Sequence, residues 1–255
     1  MPTKNFLSFG EQVLLDRPIR MDIVYSRDDF FVLNKPNGVH LDKSADPNGK
    51  NIIAALGEKN PEAFYKPVYP LEYNISGCSI IATHRESSGL LRNAYGSEAL
   101  LFKFTVLCRD TEHLDSEIVC NLPLAKHFSK PMAVISRSTG KKSQTKFSLI
   151  ERIGNFSIYE ASCNYLRYHQ VRLHGANCGL KILGEDTYDY VPVPSIEDFK
   201  KVYPMKRTAS PLFTSQCIHL GSIVLNSSIL GEEVTLVARP PKNFETLLKI
   251  IRRFS

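Results

Sequence analysis

Short apolar runs bounded by turn-forming residues recur along the chain, and their spacing predicts strands. Residues 21–26 (MDIVYS) and 28–36 (DDFFVLNKP) read as two strands joined by a polar turn. Further runs lie at 78–83, 99–108, 132–136, 145–153, 156–163 and 222–226, each rich in Val, Ile, Phe or Tyr. Asn34-Lys35-Pro36-Asn37-Gly38 is a turn, since Pro presets φ and Asn-Gly accepts positive φ. Asp46-Pro47-Asn48-Gly49 and the Gly140-Lys141-Lys142 tip are two more. Helical spacing of apolar positions predicts three helices, at 51–60, 167–180 and 243–255, the last with a basic final turn that suits the helix dipole. Strands outnumber helices and do not alternate with them as βαβ units, which predicts an α+β fold.

The chain has 255 residues, 43% of them hydrophobic and 23% charged, the proportions of a folded globular protein of one large or two small domains. No window approaches the roughly 18 uncharged apolar residues of a transmembrane helix. The first twenty residues lack a long apolar core and carry Glu11 and Asp16, which argues against a secretory signal and leaves the cytoplasm as the expected location. None of the six cysteines sits in a CxxC pair, so they read as small thiols in a reducing compartment rather than zinc ligands. A net charge of +6 is modest, but its placement is clustered: Lys126 to Lys146, Arg167 to His174, Lys200 to Arg207, and Arg252-Arg253. Such clusters can form a phosphate-binding surface or a solvated face. The phosphate-cradling GxxxxGK[ST] loop, GxGxxG, HExxH and Gly-x-Ser-x-Gly are all absent, which removes the usual nucleotide, metalloprotease and serine-hydrolase readings.

Two segments concentrate chemistry. Residues 67–82 form a loop with one acid, Glu72, then a small-residue turn and an apolar strand. Residues 164–174 (NYLRYHQVRLH) pack basic groups and aromatics at a strand-to-helix junction, where arginine can meet a phosphate or a carboxylate. Taken singly, Glu72 also reads as an ordinary loop acid and Arg167 as half of a structural ion pair.

Together these segments resemble the RluA-type pseudouridine synthases. The family's N-K-P-x-G turn is matched by Asn34 to Gly38, and its H-R-L-D-x-x-T-S-G-L-L element aligns with Tyr69 to Ser79. G-K-x-A-x-T is echoed by Gly140 to Thr145, and R-T-H-Q-I-R-x-H by Arg167 to His174. I-x-G-D-x-x-Y is matched by Ile182 to Tyr188, and a late L-H-A element by Ile218-His219-Leu220. Order and spacing hold from about Asp22 to Arg239. The resemblance implies a central mixed, mostly antiparallel sheet with flanking helices and a cleft. Residues 1–20 are expected as an extension too short for an S4 domain, and 21–255 as one catalytic domain whose halves meet near residue 100.

The resemblance also assigns roles. Glu72 stands at the family's catalytic aspartate, Arg167 is its expected ion-pair partner on the cleft floor, and Phe104 stands where the family has a tyrosine. Tyr69, Asn74, Ser76, Lys141, Lys142, His169, Gln170 and Arg172 are expected at the RNA. Tyr69 and Pro70 replace the histidine and arginine before the acid, and Ile75 replaces a threonine. No metal and no cofactor is implied. The expected partner is structured RNA, ribosomal or transfer, with no DNA and no membrane, bound by a monomer. A glutamate displaces the carboxylate by about 1 Å if the backbone holds, and an error of that size can cost about a hundredfold in rate. The expectation is therefore an RNA-binding protein of impaired catalysis. The alternative is an active synthase that uses Glu72.

Overall fold

The computed structural model describes residues 5–11, 13–42, 49–110, 114–199 and 210–255. The 46–48 part of one expected turn and the Lys200 to Arg207 cluster lie outside the described residues. The chain runs β1 (Phe6–Phe9), β2 (Ile19–Ser26), β3 (Phe30–Lys35), α1 (Ile52–Lys59), β4 (Lys66–Pro67), β5 (Ser76–Ala82), α2 (Arg85–Gly96) and β6 (Leu100–Arg109). It continues through β7 (Glu117–Cys120), β8 (Leu124–Lys126), β9 (Ala133–Ile135), β10 (Thr145–Ile153), β11 (Phe156–Cys163), α3 (Gln170–Asn177) and β12 (Lys181–Ile182). β13 (Ile218–Leu225), α4 (Ser227–Leu230), β14 (Val234–Val237) and α5 (Lys242–Phe254) complete it. The expected strands and the three expected helices form, and the strand-rich, helix-poor pattern is that of an α+β protein.

Two compact units divide these elements, and the division falls inside β6 and β13. The first comprises the chain up to Lys103 with Asn164–Leu166 and Leu220–Arg239. Its strands follow the order β1-β2-β3-β5-β13, with β4 on β5 and β14 on β13. β3 pairs antiparallel with β5, placing Lys35 opposite Gly77 and Phe30 opposite Ala82. All seven residues of β5 are buried. Gly77 has φ +125°, and a Cβ there would stand 2.1 Å from the Leu220 carbonyl oxygen, so this crossing of β5 and β13 admits glycine alone. Helix α1 starts at Asn51, whose side chain accepts a hydrogen bond from Ala54 N at 2.8 Å.

Helix α2 was not expected from the sequence, because Ser87, Ser88 and Gly89 dilute its helical pattern. Tertiary partners hold it instead. The Tyr95 hydroxyl donates to Leu166 O at 2.6 Å, its ring stacks on Tyr165 at 4.2 Å, and Ser87 Oγ donates to Asp29 O at 2.7 Å.

The second unit holds Phe104–Cys163, Arg167–His219 and Pro240–Ser255, with strand order β6-β11-β10-β7 and β12 on β6. β8 and β9 form a separate antiparallel hairpin. Helix α5 buries Phe244, Leu247 and Ile251 against Leu107, Ile158, Phe213 and Cys217. Helix α3 begins at Gln170, later than the pattern suggested, because His169 adopts φ +56° and interrupts the helical backbone before it.

Gly77→Ala is expected to lower the unfolding free energy by at least about 2 kcal/mol, a backbone clash compounding an unfavourable φ. Urea denaturation checks this through a fall in midpoint at unchanged slope. A midpoint equal to that of the unsubstituted chain would contradict the packing described.

Candidate active site

Glu72 lies on the loop between β4 and β5, half-buried, with its carbonyl accepting from Ile75 N at 3.2 Å. The loop is tied down from one side by Lys35. That side chain is fully buried and its ammonium donates to Pro36 O at 2.9 Å, Val39 O at 2.9 Å and Tyr73 O at 3.2 Å. Gly38, at φ +74°, donates its N–H to the same Tyr73 carbonyl at 2.8 Å. The N-K-P-N-G turn and the residue after Glu72 are thereby one hydrogen-bonded unit. Burial pulls Lys35 down from the ordinary lysine value to about 7, while the Glu72 charge acts in the opposite sense. Near neutral pH this cation is poised at its titration point behind a partly solvated carboxylate.

The same loop carries Tyr69, Asn74 and Ser76. Tyr69 is buried against Phe102, with ring centroids 4.8 Å apart. Its hydroxyl donates to Cys78 O at 2.8 Å and accepts from Ile80 N at 3.3 Å. Ser76 is buried within β5, and Asn74 is half-buried at the loop surface.

In the second unit the Arg167–His174 segment builds two ordered networks. Gln170 is 1% exposed, accepts from Arg167 N at 2.8 Å, and donates to Gln144 O at 2.9 Å and Thr145 Oγ1 at 3.1 Å. His174 Nε2 donates to the Leu122 carbonyl at 2.9 Å, so its Nδ1 accepts from the Thr145 hydroxyl at 2.9 Å. Burial lowers the His174 pKa and keeps the ring neutral. On the other side, Arg172 makes a fork with Glu185 at 2.7 and 2.8 Å, the two side chains being 6% and 1% exposed. Arg172 also reaches Asp186 Oδ1 at 3.0 Å and Thr187 Oγ1 at 2.9 Å. Backbone N–H groups of Asp186, Thr187 and Tyr188 complete the shell of Glu185.

Arg172 approaches His169 Nε2 at 3.3 Å, and a guanidinium can only donate. The His169 proton therefore sits on Nδ1 and is donated to the Tyr188 hydroxyl at 2.8 Å. Burial first, and the Arg172 charge second, lower His169 to about 3, so the ring carries no charge at neutral pH.

Of the residues expected at RNA, Tyr69, Ser76, His169, Gln170 and Arg172 are buried, and Tyr69, His169, Gln170 and Arg172 have hydrogen-bond partners within their own units. Lys141 and Lys142 are exposed. Arg167 is half-buried, with its guanidinium 3.4 and 3.5 Å from Lys142 O and its backbone locked by Gln170. Phe104 is buried on β6. Glu72 belongs to the first unit, Arg167 and Phe104 to the second. Sequence reasoning assigned no role to Lys35, Glu185 or Tyr188, though all three lie inside quoted motifs. A lysine between Asn and Pro at the end of an apolar strand was the available signal for Lys35.

Residues 29–177, more than half of the chain, match the family of RNA pseudouridylate synthases, and the chain belongs to that family. Within it the chain groups with the RluA-type members. It is 27% identical to ribosomal large subunit pseudouridine synthase D of Haemophilus influenzae, over 92% of this chain and 72% of the relative. It is 26% identical to ribosomal large subunit pseudouridine synthase C of Rickettsia prowazekii, over 91% of this chain and 73% of the relative. Among solved structures it resembles human RNA pseudouridylate synthase domain containing 4, with a TM-score of 0.66 at 16% identity, covering 90% of this chain and 92% of that one. Human RNA pseudouridylate synthase domain containing 1 gives a TM-score of 0.63 at 19% identity, covering 87% and 84%. The fold is that of the pseudouridine synthases.

Two substitutions test the site framework. A lysine whose folded pKa is depressed binds fewer protons than its unfolded counterpart between about pH 7 and 10.5, so it adds stability as pH rises through that window. Unfolding free energies measured at pH 7 and pH 9.5 are expected to rise in the unsubstituted chain relative to Lys35→Met; a flat difference would mean Lys35 does not titrate there. Arg172→Met strands the Glu185 carboxylate and is expected to cost about 3–5 kcal/mol of stability, read by urea denaturation. A loss below about 1 kcal/mol would make Arg172 a surface group.

Proposed function

We propose that this chain is an RNA-binding RluA-type protein that receives a uridine of structured RNA, ribosomal or transfer, at the Glu72 loop and isomerises it poorly or not at all. The observation that carries this reading is a preserved scaffold with an altered reacting group. Lys35 and Gly38 hold the loop through Tyr73 O, while the acid on that loop is Glu72. The family chemistry detaches uracil from ribose, rotates it and rejoins it through carbon 5, with the target base flipped out of its RNA context. A carboxylate must meet the reacting sugar or base at about 3 Å with its lone pair aligned. With the loop clamped, the extra methylene of Glu72 shifts the carboxylate by about 1 Å, enough to lose about a hundredfold. Phe104 lacks the hydroxyl that would move a proton. Pro70 supplies no charge to hold the flipped state.

Binding rests on other residues. Lys141, Lys142 and Arg167 supply phosphate contacts, which give affinity and salt dependence more than sequence selectivity. Asn74 is the remaining polar candidate on the Glu72 loop. His169, Gln170 and Arg172 act by positioning Arg167 and the start of α3. In this reading the protein works as a cytoplasmic monomer. No described helix is long and apolar enough to cross a membrane.

The second reading, an active synthase, is favoured by the same clamp: a loop so firmly held is organised for chemistry. Mapping pseudouridine across RNA from cells with and without the gene separates the two. The first reading expects no site, or only a sparsely modified one, to change and structured RNA still to bind, weakening steeply with salt. Disappearance of one or a few fully modified sites would overturn it. The second then expects Glu72→Asp to keep or raise product and Glu72→Gln to abolish it; equal product from Glu72→Gln would sink the second.

A further inference from the structure

Phe128 is 95% exposed, the most exposed large apolar side chain described, and it sits between β8 and β9 at the hairpin tip. An isolated surface apolar residue is ordinary. This one is held in place. His127 Nδ1 accepts from both Ser129 N and Lys130 N at 3.1 Å, which puts the ring proton on Nε2 and fixes the ring. His127 N donates to Met132 O, and Met132 N to Lys130 O, each at 2.8 Å. The fixed imidazole stacks on the Phe128 ring, with centroids 4.7 Å apart and planes within 21°. The result is a two-ring platform.

Its surroundings are basic. Between Glu117 and Glu151 the chain has no acidic residue, and the stretch carries Lys126, Lys130, Arg137, Lys141, Lys142 and Lys146. The Lys126 ammonium lies 5.4 Å over the Tyr168 ring, and the Tyr168 hydroxyl donates to Pro131 O at 3.1 Å. Ala133 N donates to the Tyr188 hydroxyl at 2.7 Å. Leu124 and Lys141 exchange backbone hydrogen bonds at 3.0 and 2.9 Å. These contacts join the hairpin to the Arg167 segment and to the Lys141-Lys142 turn. A flat aromatic face beside exposed lysines is how proteins hold unpaired nucleotides, with stacking on the bases and charge on the phosphates.

We propose that Phe128, backed by His127, stacks on an unpaired base of the bound RNA while Lys126 and Lys130 meet the adjoining phosphates. The inference rests on the RNA-binding reading and adds a base-contacting platform away from the Glu72 loop. An apolar protein partner would also cover Phe128, but the exposed Lys126 and Lys130 that flank it favour a polyanion.

The chain contains no tryptophan, so Phe128→Trp introduces a single indole reporter. The probes are a stem-loop RNA with an unpaired loop and a fully paired RNA duplex of equal length. Phe128→Ala is expected to weaken stem-loop binding by about tenfold, the scale of one stacked base, and to leave duplex binding and the salt slope unchanged. Phe128→Trp should bind the stem-loop as tightly as the unsubstituted chain, with its emission quenched on binding. Unchanged stem-loop affinity in Phe128→Ala, or constant indole emission while anisotropy reports bound RNA, overturns this inference alone. So does self-association that Phe128→Ala abolishes with RNA affinity intact. Failure of the unsubstituted chain to bind either RNA overturns it together with the reading it rests on.

Discussion

A buried ammonium must find acceptors inside the protein, and Lys35 finds three carbonyls, of Pro36, Val39 and Tyr73. That requirement organises the first unit around the Glu72 loop. Two of the acceptors lie in the turn after β3 and the third belongs to the residue after Glu72, so a strand end and a distant loop share one charge. The β3–β5 register sets Lys35 opposite Gly77, where β5 passes so close to the Leu220 carbonyl that no side chain fits. The place of the acid is thus a consequence of strand pairing and desolvated hydrogen bonding, not of the loop's own preferences. A shorter or longer acid changes the reach of the carboxylate while leaving that framework alone.

Much of this was legible in the sequence where local rules and tertiary demands agree. β2, β3, β10, β11 and α5 follow their apolar periodicity, and the family motifs fall in order along the chain. Helix α2 was not legible, because its stability comes from Tyr95, Tyr165 and Asp29 rather than from its own composition. The short strands β1, β4, β7, β8, β12 and β14, four residues or fewer each, were equally hidden. The site divided along the same line. Glu72 and Arg167 could be named from motif position. That Arg172 belongs to Glu185, and that His169 is neutral, depend on partners separated in sequence and on burial, and no spacing rule carries either fact.

The Arg167–His174 motif accordingly has a different meaning from the one its charges suggest. Its basic residues read as a surface for phosphate, yet Arg172, His169 and His174 are internal. They fix where α3 begins, through the left-handed His169 and the Gln170 bond to Arg167 N. Positive charge available to a polyanion lies instead on side chains of lower motif value: Lys126, Lys130, Lys141 and Lys142, all exposed. Buried and exposed basic residues lie within one stretch of chain, and the buried ones have a structural part to play.

The strand orders have a last consequence, for behaviour at high concentration. In the first unit the order ends at β1, and in the second at β7, each four residues long. A free strand border is a template on which another chain can add, and its hazard grows with length and flatness. Borders of four residues, one carrying Glu117 paired to Lys146, present few backbone groups for such growth. The long apolar strands β3, β5 and β13 meanwhile lie between paired neighbours and leave no long border open.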